Sequence, residues 1–185
     1  MKLVLLSAVF SLVMLTSVRA QQSDSRSAKF KSFTRAEISY LFGIRDAVND
    51  KNLNSLHIKI TIGLQNEFIG FGVGIENASY REAGGNGLTF QTFNLSGNAH
   101  VFAKPISTDE LNFFLKAAAG YAPRIFRTYS KGPNYEIAPG ILFTTKKKSK
   151  IYVEAMYQVQ KIDSFSLTTG TPRFTAIGLG IGTWL

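Results

Sequence analysis

In segment after segment between Ile38 and Trp184 apolar side chains recur at every second position, and in Ile69-Gly70-Phe71-Gly72-Val73-Gly74-Ile75 every intervening residue is glycine. A period of two is the signature of extended chain, whose successive side chains point to opposite faces. The helical period of 3.6 is not sustained anywhere beyond residue 20; Leu53 to Leu56 and Ser107 to Phe113 hold at most a helical turn each. The pattern therefore predicts an all-β chain, and what remains is to find what each face meets.

One row carries Ile38, Tyr40, Phe42 and Ile44 against Glu37, Ser39 and Gly43. A second sets Leu56, Ile58, Ile60, Ile62 and Leu64 against His57, Lys59, Thr61 and Gly63, and a later one Phe93, Leu95, Ala99 and Val101 against Asn94, Ser96, Asn98 and His100. With the glycine-interleaved segment and further runs over 111–121, 135–144, 151–160 and 174–184, the chain holds about eight strands. The connections alternate in length: 65–67 and 146–149 are short, whereas 46–54, 77–87, 122–133 and 163–172 are longer, and 104–110 is the exception. Short turns at one end and longer loops at the other predict a single antiparallel up-and-down β-barrel with both termini at the short-turn end.

Alternation alone fits a soluble barrel as well, with its apolar row turned inward. The other row must then meet water, yet on two strands it consists of Gly70, Gly72 and Gly74, and of Gly178, Gly180 and Gly182. Glycine weakens a water-facing strand, but it fits the lumen of an eight-stranded barrel, which side chains only just fill. The sense of the pattern thus predicts a transmembrane barrel whose apolar row faces lipid. The inward row carries Glu37, Lys59, Glu76, His100, Lys116, Glu136 and Glu154, charges of both signs that must pair if buried, and these form the predicted lumen polar network. Strands of roughly 9 to 11 residues suit a tilted membrane crossing. Tyr40, Phe68, Phe90, Phe93, Tyr121, Tyr135, Phe143, Tyr152 and Trp184, near strand ends, are expected to form aromatic girdles.

The remaining features set compartment and exclude chemistry. Residues 1–20 read as a cleaved secretory leader, with Lys2, the apolar stretch Leu3 to Leu15 and the small-residue site Val18-Arg19-Ala20. Residues 21–34 read as a flexible lead-in and 35–185 as the barrel domain. There is no cysteine, hence no disulfide and no lipid on an N-terminal thiol. Losing Lys2 and Arg19 with the leader takes the formal charge from +9 to +7, but no basic helix with interleaved aromatics suggests nucleic acid. The charged fraction of 18% is below the quarter or so of soluble domains, which fits a surface partly covered by lipid.

Gly84-Gly85-Asn86-Gly87 lacks the strand-to-helix context and the Lys of a phosphate loop. His57 and His100 lie on separate strands without a third metal ligand, and no Asp is placed to complete a Ser-His site that includes Ser96. Arg124, Arg127 and Lys131 fall in an outer connection, where solvated charge or contact with lipid phosphates are both open. Lys146 to Lys148 and Lys150 read as a solvated turn. No catalytic, cofactor or metal residue is expected.

The leader, the segment Ile69 to Ile75, the pieces Gly132-Pro133 and Ala138-Pro139-Gly140, and the ending Ile177-Gly178-Leu179-Gly180-Ile181-Gly182-Thr183-Trp184-Leu185 resemble small outer-membrane β-barrel proteins of the Bacteroidetes type. That broad grouping includes the OmpA-like and OmpX-like eight-stranded barrels. The resemblance implies a location in the cell outer membrane, contact with outer-membrane lipid and with the insertion machinery, and little about activity. Such barrels end on an aromatic, whereas here Leu185 is last and Trp184 penultimate. The leading expectation is a non-enzymatic, monomeric barrel whose loops contact lipid or partners. The alternatives are a secreted lipocalin-like carrier of a small apolar ligand and a membrane-embedded lipid hydrolase or acyltransferase.

Overall fold

The computed structural model describes residues 29–45, 52–82, 89–107, 111–125, 130–145, 149–163 and 173–185. The leader at 1–20, most of the lead-in at 21–34, Gly84 to Gly87, Arg127 and Lys146 to Lys148 lie outside the described residues.

Eight strands run in chain order: β1 (Lys31–Arg45), β2 (Leu53–Gln65), β3 (Ile69–Glu82), β4 (Thr89–Phe102), β5 (Asn112–Ala122), β6 (Gly132–Thr144), β7 (Lys150–Lys161) and β8 (Arg173–Trp184). Each pairs antiparallel with the next, and β8 closes on β1. The fold is therefore a closed all-β barrel of eight antiparallel strands. Beyond Trp184 the closing seam gains one more pair, since the Leu185 and Thr34 backbones exchange hydrogen bonds of 2.8 and 2.9 Å.

The period-two rows become two environments of opposite polarity. Ile62, Val73 and Leu179 on the outward face are at least 60% exposed, whereas Arg35, Lys59, Lys116, Glu76 and Glu154 inside are at most 2% exposed. Following register partners from Leu64 gives Phe71, Ala99, Ala117, Ile137, Tyr157, Ile177 and Phe42, an apolar row around all eight strands. The row climbs from the foot of β2 to Phe42, next to Leu41, whose β2 partner is Ser55 near the top, so the strands are strongly inclined to the axis. Among the described side chains, the only charges on the outward face of the strands are Arg81, Lys161 and Arg173, all at the rim away from the termini.

The lumen is layered. Phe33, Phe102, Ile106, Phe114, Leu142, Tyr152 and Trp184 fill the end where the termini lie, here called the lower end. Leu53, Ala78, Tyr80, Phe90, Ile162 and Phe174 fill the upper end, with Tyr80 stacked on Phe90 at 4.5 Å. The polar residues lie between the two plugs.

Four differences from the sequence reading have local causes. β1 begins at Lys31 rather than near 35, because Phe33 on its inward row enters the lower plug, 5.7 Å from Trp184 ring to ring. β3 continues to Glu82, beyond the expected end at Glu76; its outward residues Asn77, Ser79 and Arg81 stand above the apolar belt and so break the hydrophobic pattern without ending the strand. The exceptional connection between β4 and β5 tucks Ile106 into the lower plug and is pinned by Asn112, which accepts from Lys104 N at 3.0 Å and donates to Lys104 O at 2.7 Å. Phe90, Tyr152 and Trp184 do not join outward girdles as expected; they are buried inside, on the rows of Thr92, Glu154 and Gly182.

The rings that do face outward sort by height. Tyr40, Phe42, Tyr121, Tyr135 and Tyr157 lie in the upper part of the barrel, and Phe68, Phe71, Phe113 and Phe143 near the lower end.

Candidate functional site

The layer between the plugs is a chain of alternating charge. Glu37, Lys59, Glu76 and Asn94 are consecutive register partners on β1 to β4, so pairing alone sets a carboxylate, an ammonium, a carboxylate and an amide side by side. Across the lumen β5 to β7 supply Lys116, Glu136, Glu154 and Gln158, with small residues beside them: Glu154 stands in register between Gly140 and Gly180, and Glu136 beside Ala118. Those gaps let long side chains from opposite walls meet.

Lys116 Nζ lies at the centre, 2.8 Å from Glu37 Oε2, 2.7 Å from Glu136 Oε1 and in a short contact with Glu154 Oε1. Glu136 in turn accepts from Lys59 Nζ at 3.0 Å, and Lys59 stands 3.9 Å from Glu76. Glu76 Oε1 also accepts from Asn94 at 2.7 Å and lies 2.9 Å from His57 Nδ1, whose Nε2 is 2.8 Å from Ser55 Oγ. At the other end Glu37 accepts from the Tyr152 hydroxyl at 3.0 Å and faces Arg35 Nε at 3.9 Å. The Arg35 guanidinium sits over the Trp184 ring at 5.2 Å, a cation–π contact at the border of the lower plug. The network thus runs from Trp184 at one plug to His57, edge-on to Tyr80 at 5.7 Å, at the other.

Six of the seven residues predicted for a lumen network meet here: Glu37, Lys59, Glu76, Lys116, Glu136 and Glu154. His100 stands apart. Its ring packs in the lower plug against Trp184, Phe33 and Phe102, and its Nε2 lies 3.2 Å from Gln65 Oε1, which also accepts from Trp184 Nε1 at 3.0 Å. Sequence reasoning missed Arg35 and Tyr152 as members, although alternation puts Arg35 on the row of Glu37 and Tyr152 on that of Glu154. It also placed no acid beside His57, because the partner Glu76 is on the neighbouring strand.

Two pieces of this network have the outline of chemical sites. The carboxylates of Glu37, Glu136 and Glu154 approach within 4.8 Å, as three metal ligands do, but the Lys116 ammonium occupies the position a cation takes. Ser55, His57 and Glu76 repeat the nucleophile, base and orienting acid of a hydrolytic triad. All three are at most 1% exposed beneath the upper plug, which leaves no place for an acyl carbonyl against Ser55.

No protein-family profile matches the chain, and no curated protein matches it in sequence. Among solved structures it is similar to "Outer-membrane expressed OmpT of Vibrio cholerae", at 13% identity and a TM-score of 0.34, over 85% of this chain and 56% of that one. The chain thus spans a little over half the length of that protein.

Proposed function

We propose that this chain is an exported, non-enzymatic β-barrel of the cell outer membrane, monomeric, with a lumen closed by its own side chains. The carrying observation is inverted burial: Ile, Leu, Val and Phe face outward around every strand, while ion-paired Glu, Lys and Arg fill the interior. Water would make that arrangement unstable, and hydrocarbon favours it. The two levels of outward rings fit a bilayer. Tyr135 and Phe143, on one face of β6, are separated by about 26 Å of strand, or about 20 Å along the axis at a tilt of about 40°, close to the apolar band of about 25 Å in such barrels.

On this reading residues 1–20 are a cleaved leader, and the protein belongs with the small Bacteroidetes-type barrels of the OmpA-like and OmpX-like grouping. Function then resides in rims and loops that touch lipid or partner proteins. A secreted carrier needs the apolar row inside and a cavity for its ligand, and the interior here is ionic. A lipid-modifying enzyme needs an accessible nucleophile, and Ser55, Ser96, His57 and His100 are all buried.

The test is fractionation of cells followed by a gel of boiled and unboiled sample. Recovery in the outer-membrane fraction with a heat-dependent shift in migration is the expected result; recovery in a detergent-free soluble fraction would refute the proposal.

A further inference from the structure

Lys161 and Arg173 are register partners on the outward face of β7 and β8. Both are exposed, and both sit at the upper rim above the apolar belt. Like charges directly opposite one another are destabilising, since antiparallel partners hold their Cβ atoms about 4.5 to 5.5 Å apart. Lys131 stands beside them through its bridge to Asp163, which is the only carboxylate between Lys161 and Arg173 in sequence. The connection before β6 adds Arg124 and Arg127 and no acid at all. Meanwhile the outward faces of the strands carry no described charge at the lower rim. Three basic side chains thus converge at one corner of the upper rim, with Asp163 the one carboxylate placed among them, at the height where a lipid headgroup begins.

We propose that Lys161 and Arg173, with Lys131, form a binding site for the phosphate of an anionic membrane-lipid headgroup, whose acyl chains lie along the belt below. The guanidinium supplies two parallel donors to phosphate oxygens, and the ammonium groups supply point charge. The phosphate removes the repulsion between the opposed cations, and the exposed Ile177 and Tyr157, below the buried pair Val159 and Thr175, offer the chains an apolar wall. This inference rests on the barrel lying in a membrane.

The test uses the full mature chain refolded into phosphatidylcholine vesicles with a trace of spin-labelled phosphatidic acid or spin-labelled phosphatidylcholine. The fraction of label immobilised at the protein surface is read by electron paramagnetic resonance. Wild type is expected to favour phosphatidic acid by about fivefold, the factor one Lys or Arg contributes at an anionic surface. The triple variant K131Q/K161Q/R173Q is expected to approach parity, while K31Q at the opposite rim keeps the preference. Equal immobilisation of both labels by inserted wild type, or an equal loss in K31Q, overturns the site. Loss of selectivity on adding millimolar inorganic phosphate would assign the site to free anions and overturn the lipid. Failure to immobilise either label, with no heat-dependent gel shift, refutes the membrane reading itself and so is distinct from both.

Discussion

Replacing Lys116 with Met keeps most of the side-chain volume and removes the one charge shared by three carboxylates. Breaking a buried ion pair by deleting one partner costs about 3 to 5 kcal/mol, because the survivor is left charged and unpaired. Here three survivors, Glu37, Glu136 and Glu154, have oxygens within 4.8 Å of one another, so the expected loss is at the upper end, about 5 kcal/mol. Glu37 retains Tyr152 and Glu136 retains Lys59, whereas Glu154 has no ion partner other than Lys116 among the described residues. That asymmetry gives a sharper test than the single loss. Glu154→Gln should destabilise the wild type slightly, by about 1 kcal/mol, since Lys116 keeps two carboxylates. In the Lys116→Met background the same change removes an unpaired buried charge and should stabilise, giving a coupling of about 3 kcal/mol. The assay is urea unfolding of barrel folded in detergent micelles, followed by the fast-migrating unboiled band and by Trp184 emission. A Lys116→Met barrel within about 1 kcal/mol of wild type, or a Glu154→Gln effect of the same sign and size in both backgrounds, would refute the shared-cation account.

Ile62 faces outward opposite Val73, and on the proposed membrane reading Ile62→Lys should destabilise the inserted barrel by about 2 to 4 kcal/mol in a bilayer-folding equilibrium, while Arg81→Gln at the upper rim should change it little. A Cβ on Gly140 collides with the Phe114 ring and comes within 2.9 Å of Glu154 Cβ, so Gly140→Val should cost about 1 to 3 kcal/mol in urea unfolding. Gly97 faces outward with nothing nearer than Ala119 O at 3.9 Å, so Gly97→Ala should stay within about 0.5 kcal/mol of wild type, and equal losses at the two glycines would contradict the assignment of faces. Trp184, the single tryptophan, is shielded by the barrel wall, so brominated acyl chains should leave most of its emission intact yet quench a Val73→Trp, Trp184→Phe variant strongly; similar quenching of both would place Trp184 outside.

The strands and their faces were legible in the sequence because one rule, alternation, governs both. Ile58, Ile60 and Ile62 against His57, Lys59 and Thr61 leave a single assignment once the glycine rows exclude water on the inward side. Legibility failed where chemistry and geometry part company. Tyr152 and Trp184 have the residue type of a girdle and the parity of the lumen, and parity prevailed, because a one-residue shift would have carried Glu154 to the apolar outward face. β1 began early because Lys31 and Ser32 carry no pattern of their own and are ordered by pairing with Gln65 and Leu64 on β2. The network itself was legible only as a list of residues. Which carboxylate meets which cation depends on contacts across the lumen, such as Lys59 to Glu136, that separate strands 77 positions apart in the chain, and no local spacing encodes them.

A lumen of ion pairs also answers a question the apolar outer face raises. If the interior were apolar too, every strand would be apolar on both faces, and slipping β2 by one residue against its neighbours would cost little. With charges on one row the same slip turns His57 and Lys59 to the outward face, which the proposed membrane location fills with hydrocarbon, and moves Ile58 and Ile60 into a lumen of carboxylates. A cation at the bilayer midplane alone costs about 2 to 4 kcal/mol, and the partners left behind add the penalty of unpaired buried charge. The ionic core therefore discriminates between registers more than it adds to net stability, because buried pairs are often no more stabilising than apolar residues of the same shape. The two aromatic plugs complete that role: by keeping water from Lys116 and its three carboxylates, they keep the penalty for mispairing high. An interior given over to register leaves the rims to the proposed function, and the upper rim, where Lys161 and Arg173 face outward, to the proposed lipid contact.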